Sequence, residues 1–364
     1  MQHRPLAAGQ AGRVIRDRGT LTLSIALPAG LSIVHADSQG APLNYFLHAA
    51  GPAAGPTMHL GWALAALSMA VIVIVAVLLG MAITRRRHSE HAASLVTGEK
   101  DEKGALRWVY MGTAISSICL IAALAYTLVT LESVAAPPRA PSVVLTVTAY
   151  DWWWKIEYGD ADGGPAFVTA NEIHIPVGEP VKVVLKSADV IHAFWVPQLA
   201  GKTQTIPGQI NEQWIQADAA GVYRGQCSQF CGAQHAHMAL EVIAQNRAAF
   251  DAWRAAQAKS TTPEAAAEAG SDSAAITHGA QVFESHCAGC HTVRGTSADG
   301  TQAPDLTHLD SRRMIAAGAL TNTPEHQLDW IRHAQQIKPD SLMPDIVLTT
   351  NETAALTAYL ATLH

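Results

Sequence analysis

Twelve consecutive residues, Cys227-Ser228-Gln229-Phe230-Cys231-Gly232-Ala233-Gln234-His235-Ala236-His237-Met238, bring together two thiols, two imidazoles and a thioether. Thiolate and thioether sulfur are soft ligands, and imidazole suits copper, zinc and iron. The mixture therefore selects a transition metal over calcium or magnesium. A further imidazole, His192, lies upstream in Asp189-Val190-Ile191-His192-Ala193-Phe194-Trp195-Val196-Pro197. Metal-bound histidines usually have their second ring nitrogen held by another group, and Asp189 is the carboxylate nearest to His192 in sequence. Cys227, Cys231, His235 and His192 could also close a tetrahedral zinc site. The thioether of Met238 is the donor that favours copper.

Five cysteines are present: Cys119, Cys227, Cys231, Cys287 and Cys290. The last two fall in Cys287-Ala288-Gly289-Cys290-His291, the c-type haem attachment pattern, in which two thioethers tether the porphyrin and the histidine ligates iron. Paired cysteines in an exported domain can instead form a disulfide, a reading that His291 directly after the second cysteine disfavours. Cys119 sits inside an apolar run and reads as a small buried residue. The haem iron needs a second axial ligand. Lys338-Pro339-Asp340-Ser341-Leu342-Met343-Pro344 resembles the distal-ligand loop of class I cytochromes c, which implies Met343. Met314 competes for that role, but it precedes an apolar stretch and reads as core.

The pattern Cys-x3-Cys-x3-His-x2-Met, preceded by a histidine in an aromatic-Val-Pro strand, resembles the binuclear copper (CuA) site of cytochrome c oxidase subunit II. The resemblance implies two copper ions bridged by Cys227 and Cys231, with His192 and His235 as terminal imidazoles and Met238 as a weak ligand. The backbone carbonyl of Gln229 completes the implied set. His237 alternates with Met238 along the outgoing strand and reads as an exposed or supporting residue. In relatives an acidic pair beside the upstream histidine helps to dock soluble cytochrome c, whereas here Ala188 precedes Asp189. Many relatives also carry a magnesium-binding glutamate at the position of Gln229, and a neutral amide is a poorer ligand for that hard cation. The resemblance further implies Trp152, in Asp151-Trp152-Trp153-Trp154-Lys155-Ile156-Glu157-Tyr158, as the exposed ring through which electrons reach the copper pair. Strand alternation puts Trp152 and Trp154 on one face and Trp153 on the other, and Trp154 reads equally well as core.

These residues need a scaffold. The chain has 364 residues, 49% of them hydrophobic, and a positive mean hydropathy. That is too apolar for an ordinary soluble protein of two or three domains. A formal net charge of -6 without a long basic stripe excludes a nucleic-acid partner. Residues 1–36 carry Arg4, Arg13, Arg16 and Arg18, an apolar run from Leu21 to Val34, and Val34-His35-Ala36 in the form of a cleavage site. They read as a secretory signal peptide; Pro28 and Gly30 weaken the apolar run and leave an N-terminal tail as the other reading. After an external segment, 37–59, two charge-free runs at 60–83 and 108–131 are each long enough to cross about 30 Å of hydrocarbon as a helix. The loop at 84–107 holds Arg85, Arg86, Arg87, Lys100, Lys103 and Arg107, while 37–59 holds no lysine or arginine. The positive-inside rule makes that loop cytoplasmic and puts both ends of the chain outside.

From Pro137 the texture changes to short β-rich runs, among them Ser142 to Tyr150, Glu172 to Val177, Val181 to Lys186, Glu212 to Ala217 and Met238 to Ile243. Alternation and glycine punctuation predict an antiparallel β-sandwich over 137–250. The resemblance makes it a cupredoxin-like Greek key, with the metal loop joining its last two strands. An Ala-rich stretch at 251–275 reads as a linker whose first part continues a helix. Residues 276–364 predict an all-α class I cytochrome c domain, with helices over Thr277 to His286, Pro324 to Gln336 and Asn351 to Leu363.

Together the resemblances imply subunit II of a haem-copper cytochrome c oxidase carrying a fused C-terminal cytochrome c domain. Its cofactors would be one covalent haem c and two copper ions, and its partners subunit I, a subunit III and the lipid bilayer. Electrons would enter at the haem from a donor such as a cytochrome bc complex or a soluble cytochrome c. They would pass to the copper pair and then to subunit I, where oxygen is reduced and protons are pumped. The place implied is the bacterial inner membrane, multi-pass, with both metal domains on the periplasmic side. Nitrous oxide reductases share the copper motif but need a propeller domain of several hundred residues, and quinol oxidase subunits lack the copper ligands. A free-standing, membrane-anchored carrier with haem c and copper remains as the alternative.

Overall fold

The computed structural model describes residues 47–84, 99–159, 164, 166–260 and 273–364. The signal-peptide expectation at 1–36, most of the cationic loop (85–98) and much of the linker (261–272) lie outside the described residues.

Two long helices come first, α1 (Gly55–Thr84) and α2 (Glu99–Ala135). Each contains a 30-residue apolar span, at Gly55–Thr84 and Leu106–Ala135, that the protein leaves almost entirely uncovered. At about 1.5 Å per residue such a span is roughly 45 Å long, longer than the hydrocarbon layer. The chain thus has two helices long and apolar enough to cross a membrane. Both helices outrun the charge-free stretches at 60–83 and 108–131, because a helix continues through the polar residues at its ends while hydropathy counts only the apolar part. The indole of Trp214 donates to the carbonyl of Val134 at 2.9 Å and so fastens the end of α2 to the next domain.

That domain is a β-sandwich. One sheet has the order β3-β2-β1-β5-β8, built from β1 (Val143–Tyr150), β2 (Trp153–Tyr158), β3 (Phe167–Ala170), β5 (Val181–Ser187) and β8 (Asn211–Ile215). The other has the order β4-β10-β9, from β4 (Glu172–Pro176), β9 (Gly221–Gln226) and β10 (Ala239–Gln245). A short ribbon of β6 (His192–Phe194) and β7 (Thr203–Thr205) completes it. The expected alternation is present: Val143, Leu145, Val147 and Ala149 of β1 point inward. The expected purely antiparallel pairing is not, since β1 runs parallel to β5 and β4 parallel to β10. Alternation reports which face is buried and is blind to the direction of the neighbouring strand, so the sequence pattern suits either.

Strand β4 is buried at all five positions, polar ones included. Helix α3 (Arg247–Gln257), capped by Asn246 accepting from the Ala249 amide at 2.9 Å, lays Trp253 flat on His174 with ring centroids 3.8 Å apart. The Ala-rich stretch is therefore helical as far as Gln257.

The C-terminal domain is helical. It comprises α4 (Ser273–His286), a two-residue hairpin of β11 (Met314–Ile315) and β12 (Leu320–Thr321), α5 (Pro324–Arg332), α6 (Ala334–Ile337) and α7 (Thr350–Leu360). Helices α4 and α7 cross at Gly279, where a Cβ would lie 2.1 Å from the Ala355 carbonyl oxygen. Thr349 and Glu352 form a reciprocal capping box at the start of α7. The single helix expected over 324–336 is split at His333, whose backbone (φ -132°, ψ 32°) leaves the helical region. Residues 41–364 form one unit, so the sandwich and the helical domain share an interface.

Candidate metal centres

Strand β9 ends one residue before Cys227 and β10 begins one residue after Met238, so the twelve-residue stretch is the loop between two hydrogen-bonded neighbours. The Cys227 amide donates to the Met238 carbonyl at 2.9 Å and closes the loop at its base. The Ser228 amide donates to the Ala193 carbonyl at 3.0 Å and ties the loop to β6, which carries His192. The donors converge. The sulfurs of Cys227 and Cys231 are 3.7 Å apart, Cys231 Sγ is 3.5 Å from His235 Nδ1, and Cys227 Sγ is 4.0 Å from His192 Nδ1. The Gln229 carbonyl oxygen is 3.2 Å from Cys227 Sγ, and Met238 is buried in the core beneath. Two sulfurs, two imidazole Nδ1 atoms and a carbonyl oxygen at one place fit a soft transition metal.

A supporting contact orients His192. Asp189 Oδ1 lies 2.7 Å from His192 Nε2, which leaves Nδ1 turned toward the sulfurs. Asp151, which the sequence did not single out, stands 3.9 Å from the same nitrogen. Burial opposes charging of His192, but Asp189 and Cys227 outweigh it and raise its pKa to about 9. The hydrogen bond between the two thiols pushes Cys227 down and Cys231 up, because a proton shared by adjacent sulfurs leaves only one of them charged. His237 is exposed in a single 3-10 turn, His235–His237, with Nδ1 2.7 Å from Gln234 Oε1; the strand alternation expected for it starts later, at Ala239. The Gln229 side chain meets that of Gln204 at 3.5 Å.

Trp152 lies in the turn before β2 and not in the strand, so alternation does not govern it. Its ring is half-buried and donates through Nε1 to the Cys231 carbonyl at 2.9 Å. Gly232 has φ +115°, and a Cβ there would come within 2.9 Å of the indole. Trp153 instead stacks on Tyr150, and Trp154 is core, edge-on to Phe194.

In the helical domain Cys287, Cys290 and His291 follow the end of α4, with Cys287 half-buried and Cys290 exposed. His291 donates Nδ1–H to the Pro304 carbonyl at 2.7 Å, which leaves Nε2 as its lone-pair nitrogen. Burial lowers its pKa and keeps the ring neutral. Met343 lies in the loop between α6 and α7 and packs with Cys287 against the same apolar core, whereas Met314 is in the β11 hairpin. Beside Met343, Leu342 is 83% and Val347 91% exposed, apolar surface that a porphyrin would cover. The residues present fit a c-type haem.

The two domains meet near both candidate centres. Lys338 Nζ donates to the Trp152 carbonyl at 3.0 Å, and Gln234 Nε2 to the Pro339 carbonyl at 2.8 Å. Further off, the Arg313 amide donates to Glu172 Oε2 at 3.0 Å and its guanidinium to Glu241 Oε2 at 3.1 Å. These contacts span more than a hundred residues of chain between Gln234 and Pro339, which is why motif reading missed Lys338, Gln234 and Arg313.

Residues 143–245 match the family of cytochrome c oxidase subunit II periplasmic domains, and residues 276–364 match cytochrome c. The chain joins a subunit II domain to a cytochrome c domain. A relative named cytochrome c oxidase subunit 2, from Alkalihalophilus pseudofirmus, is 38% identical over 61% of this chain and 61% of its own length. Another of that name, from Bacillus sp. strain PS3, is 32% identical over 61% of this chain and 62% of its own length. The chain thus spans a little over three-fifths of these relatives. The crystal structure of the periplasmic domain of oxidase subunit II from Bradyrhizobium japonicum covers 33% of this chain and 95% of its own, at 30% identity and a TM-score of 0.31.

Proposed function

We propose that the chain is the electron-transferring subunit II of a haem-copper cytochrome c oxidase, with its cytochrome domain fused behind the copper domain. When bound, a haem c and a binuclear copper centre supply reversible one-electron transfer between a donor, such as a cytochrome bc complex or a soluble cytochrome c, and a separate subunit I that reduces oxygen and pumps protons. The observation that carries this reading is the convergence of Cys227, Cys231, His192, His235 and the Gln229 carbonyl within a subunit II domain.

Cys227 and Cys231 would hold the copper pair, and Asp189 orients His192 so that Nδ1 would be its ligating atom. Met238 closes the set from the core side. Cys287 and Cys290 would tether a haem, and His291, through Nε2, and Met343 would hold its iron. Trp152, bonded to the Cys231 carbonyl, would lie on the path by which electrons reach the copper pair. Helices α1 and α2 anchor the chain, and the cations of the loop between them put both metal domains on the periplasmic side of a bacterial inner membrane.

Purification of the full chain from its own membranes tests the proposal. A multi-helix, haem-binding partner should co-purify, and metal analysis should give one haem and two coppers per chain. Isolation without such a partner would make the chain a free-standing carrier. Zinc, or one copper per haem, would remove the binuclear copper reading.

A further inference from the structure

Lys338 is a buried cation, 3% exposed, in the short segment that leads into the Met343 loop. Among the described residues no carboxylate stands within ion-pair distance of it. Its hydrogen-bond partners are two carbonyl oxygens from different parts of the interface, Trp152 at 3.0 Å and Ala316 at 3.3 Å. A buried ammonium without a carboxylate is costly, and an apolar residue of the same length would pack there at lower cost. What the ammonium adds is direction, because it seats one particular backbone turn of the cytochrome domain on one particular carbonyl of the copper domain.

Both ends of this contact lead to candidate ligands. On the copper side the Trp152 indole is bonded to the Cys231 carbonyl, and Gln234, next to His235, reaches across to the carbonyl of Pro339 at 2.8 Å. On the cytochrome side Gln335 donates through Nε2 to the carbonyls of Ser341 at 2.8 Å and Met343 at 2.6 Å, while its Oε1 accepts from the Asp340 amide at 3.2 Å. The Met343 loop is thus held by Gln335 from within its own domain and by Gln234 and the Trp152 carbonyl from the other.

We propose that Lys338 and Gln234 form a staple between the haem-ligand loop and the copper loop, and that Lys338 is a positioning residue for electron transfer between the two centres. The proposal rests on the functional reading above. The transfer moves one electron, lost by the haem iron and gained by the copper pair, and makes or breaks no bond. The staple sets the separation and orientation of the two loops, on which such a transfer depends. Lys338 Nζ sits on the carbonyl of Trp152, whose indole is bonded to the Cys231 carbonyl, so its positive charge stands beside the copper loop and would favour the reduced copper state.

The test uses the full chain in its native complex. In Lys338→Met, haem and copper contents and both optical spectra should match the wild type. Haem-to-copper transfer, followed after rapid reduction of the haem, should slow by on the order of tenfold or more, as expected when reacting partners lose their alignment. The copper potential should fall, and amide exchange should rise at Lys338, at 340–343 and at Ala239, whose amide donates across the interface to Ala317. Loss of packing alone would leave the potential where it was. Transfer at the wild-type rate with unchanged exchange would overturn the proposal. If Lys338→Met fails to retain haem or copper, Gln234→Leu carries the test by the same transfer and exchange measurements. Absence of transfer in the wild type would instead defeat the functional reading itself.

Discussion

The copper loop and the haem pocket are built on opposite plans. In the sandwich the donors lie on a framework closed by backbone hydrogen bonds: β6 supplies His192, the loop base is tied to its neighbours, and Cys227, Cys231 and Met238 are buried. In the helical domain the corresponding groups are less buried, with Cys287, His291 and Met343 half-buried and Cys290 exposed. The sandwich draws on a large apolar core, from Val143 to Phe250, whereas the helical domain has a smaller one. In the first region the fold makes the metal site. In the second the candidate ligands lie at the edge of a smaller core, where a bound group would add to the packing.

The sharpest way to break this comparison is to deny each region its group. Cys287→Ser combined with Cys290→Ser should cost the helical domain its cooperative unfolding transition altogether, while the sandwich keeps its own. Cys227→Ser combined with Cys231→Ser should abolish copper binding and leave both transitions in place. Calorimetry with metal analysis distinguishes the two cases, and equal behaviour of the two variants would end the contrast.

Met343→Ala sharpens it next. The two thioethers should keep the haem attached, and the reduction potential should fall by on the order of 100 mV, within the roughly 0.8 V range that axial ligands span. An unchanged potential and visible spectrum would return the role to Met314 or another residue.

Trp152→Gln should leave the copper spectrum and the fold in place and slow haem-to-copper transfer about tenfold or more, since it removes the ring bonded beside Cys231. Transfer at the wild-type rate, read by flash photolysis or stopped flow, would reduce the indole to packing.

The smallest effect concerns the far end of the interface. Burial raises the pKa of Glu172, but hydrogen bonds from His174 and the Arg313 amide outweigh it, so the folded value lies below 4.5. Its contribution is therefore complete above about pH 4.5 and lost as pH falls through the lowered value. Glu172→Gln should cost about 1 kcal/mol at neutral pH and flatten the acid limb of the stability profile. A variant with the wild-type acid limb would show that Glu172 carries no such linkage.

Chemistry written within a few consecutive residues was legible in the sequence. The spacing from Cys227 to Met238 belongs to a single loop, and Cys287, Cys290 and His291 to a single turn after a helix, so local geometry alone brings most of each donor set together. The same holds for β1, whose buried positions follow its alternation, and for the two apolar helices. Strand alternation did not apply to Trp152, because β2 starts one residue later, at Trp153. The break at His333 left no mark in the helical pattern.

The sequence by itself determined which chemistry the chain carries, because ligand type and short-range spacing are local properties. Only the tertiary structure decided how the two centres face one another. The parallel pairing of β1 with β5, the burial of Glu172 beneath Arg313, and the placement of Lys338 on a carbonyl 186 residues away all depend on which surfaces meet. Hydrophobic periodicity records that a side chain is buried and not what buries it. A polar residue such as Lys338 leaves no periodic trace at all, so its partner could be found only where the two domains touch.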